Sequence, residues 1–179
     1  SADAGIIKHN SKEVRFNSPI DAMKYKIGMV HQHFKLSPAH TALENVLLVE
    51  PNQKALEPYF KKDKSEKSKA TAKLYKFDIP WDTLVRDLGV GIQQKIEILK
   101  LLCLDNQILI FDEPTAVLTP HEIDELLSQL LELKKQGKTV ILITHKLKEV
   151  KRIADTITIF RKGQLVGTYP ASELDEKEM

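Results

Sequence analysis

Asp112 and Glu113 directly follow the apolar run Ile108, Leu109, Ile110 and Phe111, and His145 directly follows a second run from Thr139 to Thr144. Neighbouring residues at a strand end point in different directions, so one carboxylate can hold a divalent cation while the other faces a water. Mg²⁺ prefers carboxylate oxygens, with phosphate and water completing its shell. A strand-end Asp on Mg²⁺ recurs in phosphoryl-transfer sites. The alternative for Asp112-Glu113-Pro114 is a surface turn after a strand. A second candidate is Leu88-Gly89-Val90-Gly91-Ile92-Gln93-Gln94, followed by Ile96, Leu99 and Cys103 at helical spacing. Two glycines ahead of a helix leave backbone N–H groups free to meet an anion. Taken alone, the same stretch also suits an ordinary loop-to-helix turn.

The positioning elements can be read from pattern. Residues 107–111, Gln107 followed by four apolar residues, read as a strand buried on both faces. Thr119-Pro120-His121-Glu122 has the form of a capping box with Pro at the first helical position. Ile123, Leu126, Leu127, Leu130 and Leu131 then fall on one helical face, and Gly137 stands where a helix-ending glycine belongs. Residues 139–144 predict a second buried strand. Strand, helix, strand is a crossover that makes the two strands parallel, so Asp112, Glu113 and His145 emerge at one edge of the sheet. A short helix follows with Leu147, Val150, Ile153 and Ala154 inward. Residues 156–161 and 164–169 flank Lys162-Gly163 as a hairpin. Upstream, residues 27–31 predict a short strand leading into Gln32, and residues 42–49 a short helix. The charged stretch 61–69 suits a solvated loop or helix start, with helical spacing through Ala70, Leu74 and Phe77 until Pro80 stops it.

Composition bounds the rest. The chain has 179 residues, 42% hydrophobic and 29% charged, which is about one domain of ordinary globular protein and excludes a disordered or collagen-like chain. A single cysteine, Cys103, excludes an internal disulfide and fits a reducing compartment. A net charge of +2 gives no bulk attraction to nucleic acid or an anionic membrane. No apolar run approaches the roughly 18–20 residues that span a bilayer. His31 and His33 bracket Gln32, but no carboxylate or Cys cluster joins them to make a metal site. Cys103 and Trp81 are read as packing residues.

The order of these motifs carries more than any one of them. It runs from Gly-Met-Val-His-Gln-His-Phe, through Val-Gly-Ile-Gln-Gln-Lys-Ile-Glu-Ile-Leu-Lys and Asp-Glu-Pro-Thr-Ala-Val-Leu-Thr-Pro, to Thr-His. From about Ile6 onward the chain resembles the nucleotide-binding domain of ABC transporters, and within it the ATPases of importers for simple sugars and nucleosides. The resemblance implies an α/β fold: an incomplete P-loop NTPase with a RecA-like parallel sheet and an ABC-type α-helical subdomain. Residues 1–179 would form one partial domain, with the helical subdomain at approximately 41–104 and the core at 1–40 and 105–179. It implies ATP and Mg²⁺ as cofactors. Gln32 matches the Q-loop glutamine, sensing the γ-phosphate and metal. Asp112 ends the Walker B strand and acts on Mg²⁺. Glu113 orients or activates the attacking water, and His145 bonds the γ-phosphate. Gly89, Val90, Gly91, Ile92 and Gln93 match the signature that serves the opposite subunit's nucleotide, and residues 115–120 match the D-loop. The implied partners are a second such domain, head to tail, and integral-membrane permease subunits near residues 41–48, with no nucleic acid. The implied location is cytoplasmic, peripheral on the inner face of the cell membrane.

Three departures stand out. Gly89 replaces the usual signature serine, and Thr119 replaces the usual acidic end of the D-loop. More consequentially, the phosphate-cradling G-x-x-x-x-G-K-[ST] is missing. Gly137-Lys138-Thr139 has Glu132 where the first glycine belongs, and it follows a helix and opens a strand, the reverse of a P-loop. The expectation is a chain that begins after the P-loop and is not competent alone, with a gap in the sheet, a rearranged pairing or an intermolecular contact beside residues 139–144. Two rival functions keep part of the pattern: a non-transport ABC ATPase acting on nucleic acid or ribosomes, and a non-catalytic interaction module.

Overall fold

The computed structural model describes residues 4–48 and 62–173. A parallel sheet of β3 (Ile27–Val30), β4 (Ile108–Asp112) and β5 (Thr139–Ile143), in that spatial order, sets the frame of the site. Val30 lies opposite Phe111 and Asp112 opposite Ile143, so the three carboxyl ends are level. Two antiparallel hairpins flank it in sequence: β1 (Ile7–His9) with β2 (Lys12–Val14), and β6 (Thr156–Arg161) with β7 (Gln164–Pro170).

Six α-helices and a 3-10 turn (Val85–Asp87) complete the described chain: α1 (Pro19–Lys24), α2 (Ala42–Leu47), α3 (Lys62–Leu74), α4 (Val90–Cys103), α5 (Pro120–Lys135) and α6 (Leu147–Ile153). The core joins α4 and α5 to the sheet through Ile96, Ile98, Leu99, Leu126, Leu130, Leu133, Leu109 and Phe111, all buried. α4 also packs on α2 and α3. Gly28 lets β3 sit this close, since a Cβ there would lie 2.6 Å from Asn106 Nδ2 and 2.9 Å from Leu101 Cδ2. Among the described residues no helix is long and apolar enough to cross a membrane.

α5 begins as its sequence predicts. Thr119 is the N-cap, Pro120 opens the helix, and Glu122 reaches back to the Thr119 N–H at 2.8 Å. Gln136 caps the end and Gly137 follows at φ 84°. Lys138 Nζ donates to Asn106 O at 2.8 Å, which ties it to the amino-terminal side of the sheet as a structural residue.

Four expectations need correction. β4 alternates instead of being buried on both faces, with Leu109 and Phe111 fully covered and Ile108 and Ile110 half-covered. β5 departs further, with Ile141 and Ile143 exposed by 45% and 48%. Its apolar run suits a strand covered on both faces, but Val140 and Leu142 pack against the core while Ile141 and Ile143 point to a face that the described residues leave uncovered. Among the described residues β6 pairs with β7 and not with β5, so of the three expected outcomes the structure shows the gap in the sheet. α3 ends at Leu74, well before Pro80; Lys76 turns the chain at φ 56° and Phe77 N–H returns to Ala72 O at 2.8 Å. Residue 61 and residue 49, named in two predicted segments, lie outside the described residues. Leu147, which helical spacing predicts inward, is exposed, because it lines an open groove with Ile123 and Leu127 between α5 and α6.

Candidate functional site

Parallel strands of matched register deliver their C-terminal residues to one edge, and that edge holds most of the polar candidates. Asp112 is the last residue of β4 and Glu113 the next. Gln32 follows β3 by two residues, and His145 follows β5 by two. Glu113 and His145 meet, with 3.3 Å between Oε1 and Nδ1. An ionised carboxylate can only accept, so with Glu113 ionised the ring donates from Nδ1. His145 is largely exposed and Glu113 partly so, leaving the pair open to solvent.

Backbone geometry fixes this meeting. Glu113 adopts φ 45°, a left-handed conformation that is costly for a residue with a Cβ. Its N–H donates to Ile143 O at 2.9 Å, one step beyond the β4–β5 ladder. Lys146, beside His145, donates through Nζ to the buried Thr115 at both O (3.0 Å) and Oγ1 (3.1 Å). Lys146 also pairs with the buried Glu149 at 3.4 Å. The segment after β4 and the segment after β5 are therefore cross-linked behind the Glu113–His145 pair. Sequence reading missed Lys146, because a lysine after a strand end looks like a solvated residue. Glu149 was the available signal, a carboxylate near the inward face of a short helix.

The glycine-rich stretch forms a separate group. Gly89 is the N-cap of α4 and offers no side-chain cap. Val90 is exposed and Ile92 half-buried. Gln93 turns its amide back onto the preceding loop, donating from Nε2 to Leu88 O at 2.9 Å and Val85 O at 3.3 Å. Gly91 lies against the Glu122 carboxylate so closely that any Cβ would collide with it. Among the described residues this stretch makes no hydrogen bond or ion pair with Gln32, Asp112, Glu113 or His145.

Glu122 thus serves two helix starts. The Thr119 N–H and hydroxyl, with the Gly91 N–H and Lys95 adding to them, hold its carboxyl below the usual carboxylate range. A depressed folded value means that the bonded carboxylate stabilises the fold above the ordinary carboxylate pKa. That contribution is lost as pH falls through the depressed value. The stability difference between the native chain and Glu122→Gln, read from urea melts, is expected to be greatest near neutrality and to shrink below about pH 4. Thr119→Ala should cost roughly 1 kcal/mol at pH 7. A Glu122→Gln difference that grows on acidification would contradict this role.

The strand-end donors suit a hard cation only in part. Among the described residues no three His, Cys, Asp or Glu side chains converge into a complete metal site. Mg²⁺ takes few protein ligands and completes its shell with phosphate and water. Asp112 at the end of β4 and Gln32 just past β3 carry oxygen donors of the kind a hard cation takes.

Known proteins share the sequence and the fold. The chain is 42% identical over 175 residues to a nucleoside import ATP-binding protein of Lactococcus lactis subsp. cremoris, covering 98% of this chain and 34% of that protein. It is 37% identical over 179 residues to a ribose import ATP-binding protein of Rubrobacter xylanophilus, covering 98% and 35%. The chain thus spans about a third of the length of the curated relatives it matches. A crystal structure of a nucleotide-free ATP-binding cassette from an ABC transporter superposes with a TM-score of 0.83 at 23% identity, over 94% of this chain and 70% of that one. The fold is therefore that of an ATP-binding cassette. The family model described as ABC transporter matches residues 1–116. Since that match runs through both the glycine-opened helix and the Asp112-Glu113 strand end, the chain belongs to the ABC transporter family.

Proposed function

We propose that the chain carries the hydrolytic edge and the signature of an ATPase subunit that powers an importer for simple sugars or nucleosides. The observation that carries this is the Glu113–His145 pair at the carboxyl edge of the parallel sheet. The relatives named for nucleoside and ribose import support the substrate class.

In this reading the free oxygen of Glu113 accepts a hydrogen bond from a water and orients it toward the terminal phosphate. His145 holds the other oxygen of Glu113 and, when protonated, offers its second nitrogen to the phosphate side. Lys146 keeps the two strand-end segments in register. Asp112 and Gln32 would hold Mg²⁺, which would supply charge neutralisation to the phosphate chain. Such sites work by positioning and charge stabilisation. Residues 89–93 face a nucleotide on a second, head-to-tail domain. The helical part at about 41–104 stands between the nucleotide and the permease subunits, on the cytoplasmic face of the membrane. With no P-loop in the sequence, the chain is not competent alone.

Co-expression with the permease subunits tests the partner class. The tagged chain should be retained with the integral-membrane subunits in detergent extracts and show no enrichment of nucleic acid at low salt. Retention on nucleic acid without any membrane subunit would favour the rival that acts on nucleic acid or ribosomes. The net charge of +2 argues against that rival.

A further inference from the structure

Lys and Glu are almost never buried unless paired. α4 buries one of each, with Glu97 6% exposed and Lys100 9%. They stand one helical turn apart, and Lys100 Nζ lies 3.3 Å from both carboxylate oxygens of Glu97. Each also reaches out of the helix to the same residue. The Lys35 N–H donates to Glu97 Oε1 at 2.7 Å, and Lys100 Nζ donates to Lys35 O at 3.1 Å. One buried ion pair therefore grips both polar backbone groups of a single residue more than sixty positions away.

Lys35 lies three residues after Gln32, and the Gln32 side chain is exposed. A second anchor follows at once. The Ser37 N–H donates to Asn45 Oδ1 at 2.7 Å, and Asn45 Nδ2 donates to the carbonyls of Ser37, His40 and Thr41. The Gln32 segment is thus strung between Val30 in the sheet and a charged grip on the helix that opens at Gly89. A buried ion pair is seldom more stabilising than apolar residues of the same volume. Its distinguishing property is geometry, a fixed relation between two pieces of chain.

We infer that Glu97 and Lys100 are positioning residues that clamp the Gln32 loop to α4, so that the glutamine and the signature helix move as one body. Its bearing on nucleotide turnover rests on the function proposed above for Gln32. The clamp itself is tested on the chain alone, without nucleotide, so its failure and the failure of that function are separate results.

The test is NMR on the isotope-labelled chain. The double substitution Glu97→Leu with Lys100→Met removes both grips without leaving a lone buried charge. Lys100→Arg keeps the cation and its hydrogen bonds. In the double variant the Lys35 amide should exchange about tenfold faster or more, as for local opening. The backbone and side-chain amides of Gln32 should show a lowered heteronuclear NOE. Protection of Ile96, Ile98 and Leu99 should be unchanged, showing that α4 is intact. Lys100→Arg should restore the native Lys35 and Gln32 values. A folded double variant with native exchange at Lys35 and a native Gln32 NOE would overturn the clamp, as would loss of Gln32 order only together with α4. If the double variant does not fold, Lys100→Met alone is read in the same way against Lys100→Arg.

Discussion

Replacing Glu113 by Gln, in a form of the protein with a P-loop strand, loop and helix placed ahead of residue 1, should leave ATP affinity within a few-fold and lower turnover by roughly 10²–10⁴. Gln is nearly the same size and keeps an oxygen where Glu113 Oε1 meets His145 Nδ1. It loses the basicity that draws a proton from water, and that property matters in the transition state and not in the bound ground state. Loss of kcat with binding retained is the pattern expected of such a group. His145→Ala should behave similarly, since the carboxylate then loses the donor that fixes its orientation. The measurement is phosphate release alongside nucleotide binding for both variants. Turnover within about tenfold of the parent in both would remove Glu113 and His145 from the roles proposed here.

The legible parts of the fold were those where local chemistry and tertiary structure agree. The capping box at Thr119 and Glu122, the Pro120 start and the Gly137 end of α5 are all short-range signals, and all are present. The delivery of Glu113 and His145 to one edge also followed from sequence, because parallel strands with a helical crossover end at one edge; their contact at 3.3 Å did not. The β1–β2 hairpin was not read. Its turn is Asn10-Ser11, with φ 49° and 62°, and Ser is a weak marker of a turn needing two left-handed residues. α1 went unread although Ser18 caps it, Pro19 opens it and Asp21 answers Ser18, because six residues give too little periodicity to notice. The exposure of β5 was illegible in principle: an apolar strand reads the same whether or not a neighbour covers it. The grip on Lys35 depends on backbone atoms, which carry no sequence signal. Its visible trace was two charged residues, Glu97 and Lys100, within the otherwise apolar run of α4.

The chain by itself should bind Mg-ATP weakly at best and not hydrolyse it. In P-loop sites the phosphates rest on consecutive N–H groups, with a Lys on the β- and γ-phosphates and a Ser or Thr on the metal. The sequence contains no such motif. Lys138, in its only Gly-Lys-Thr, cannot substitute. It precedes β5 and is bonded to Asn106 O and Asp105, at the opposite end of the strands from Glu113 and His145. The carboxylates of Asp112 and Glu113 would face a polyanion without the P-loop lysine to compensate its charge. A charge-assisted hydrogen bond is worth roughly 1.5–3 kcal/mol, so losing three weakens binding by about 10³–10⁶. Calorimetric titration of Mg-ATP into the chain alone, and into the form with a P-loop ahead of residue 1, tests this most directly. The prediction is no saturable heat at submillimolar nucleotide for the chain alone, and saturable binding with turnover once the P-loop is supplied. Micromolar binding by the chain alone, or a P-loop form that neither binds nor turns over ATP, would contradict the assignment of this edge as the hydrolytic half of an ATPase site.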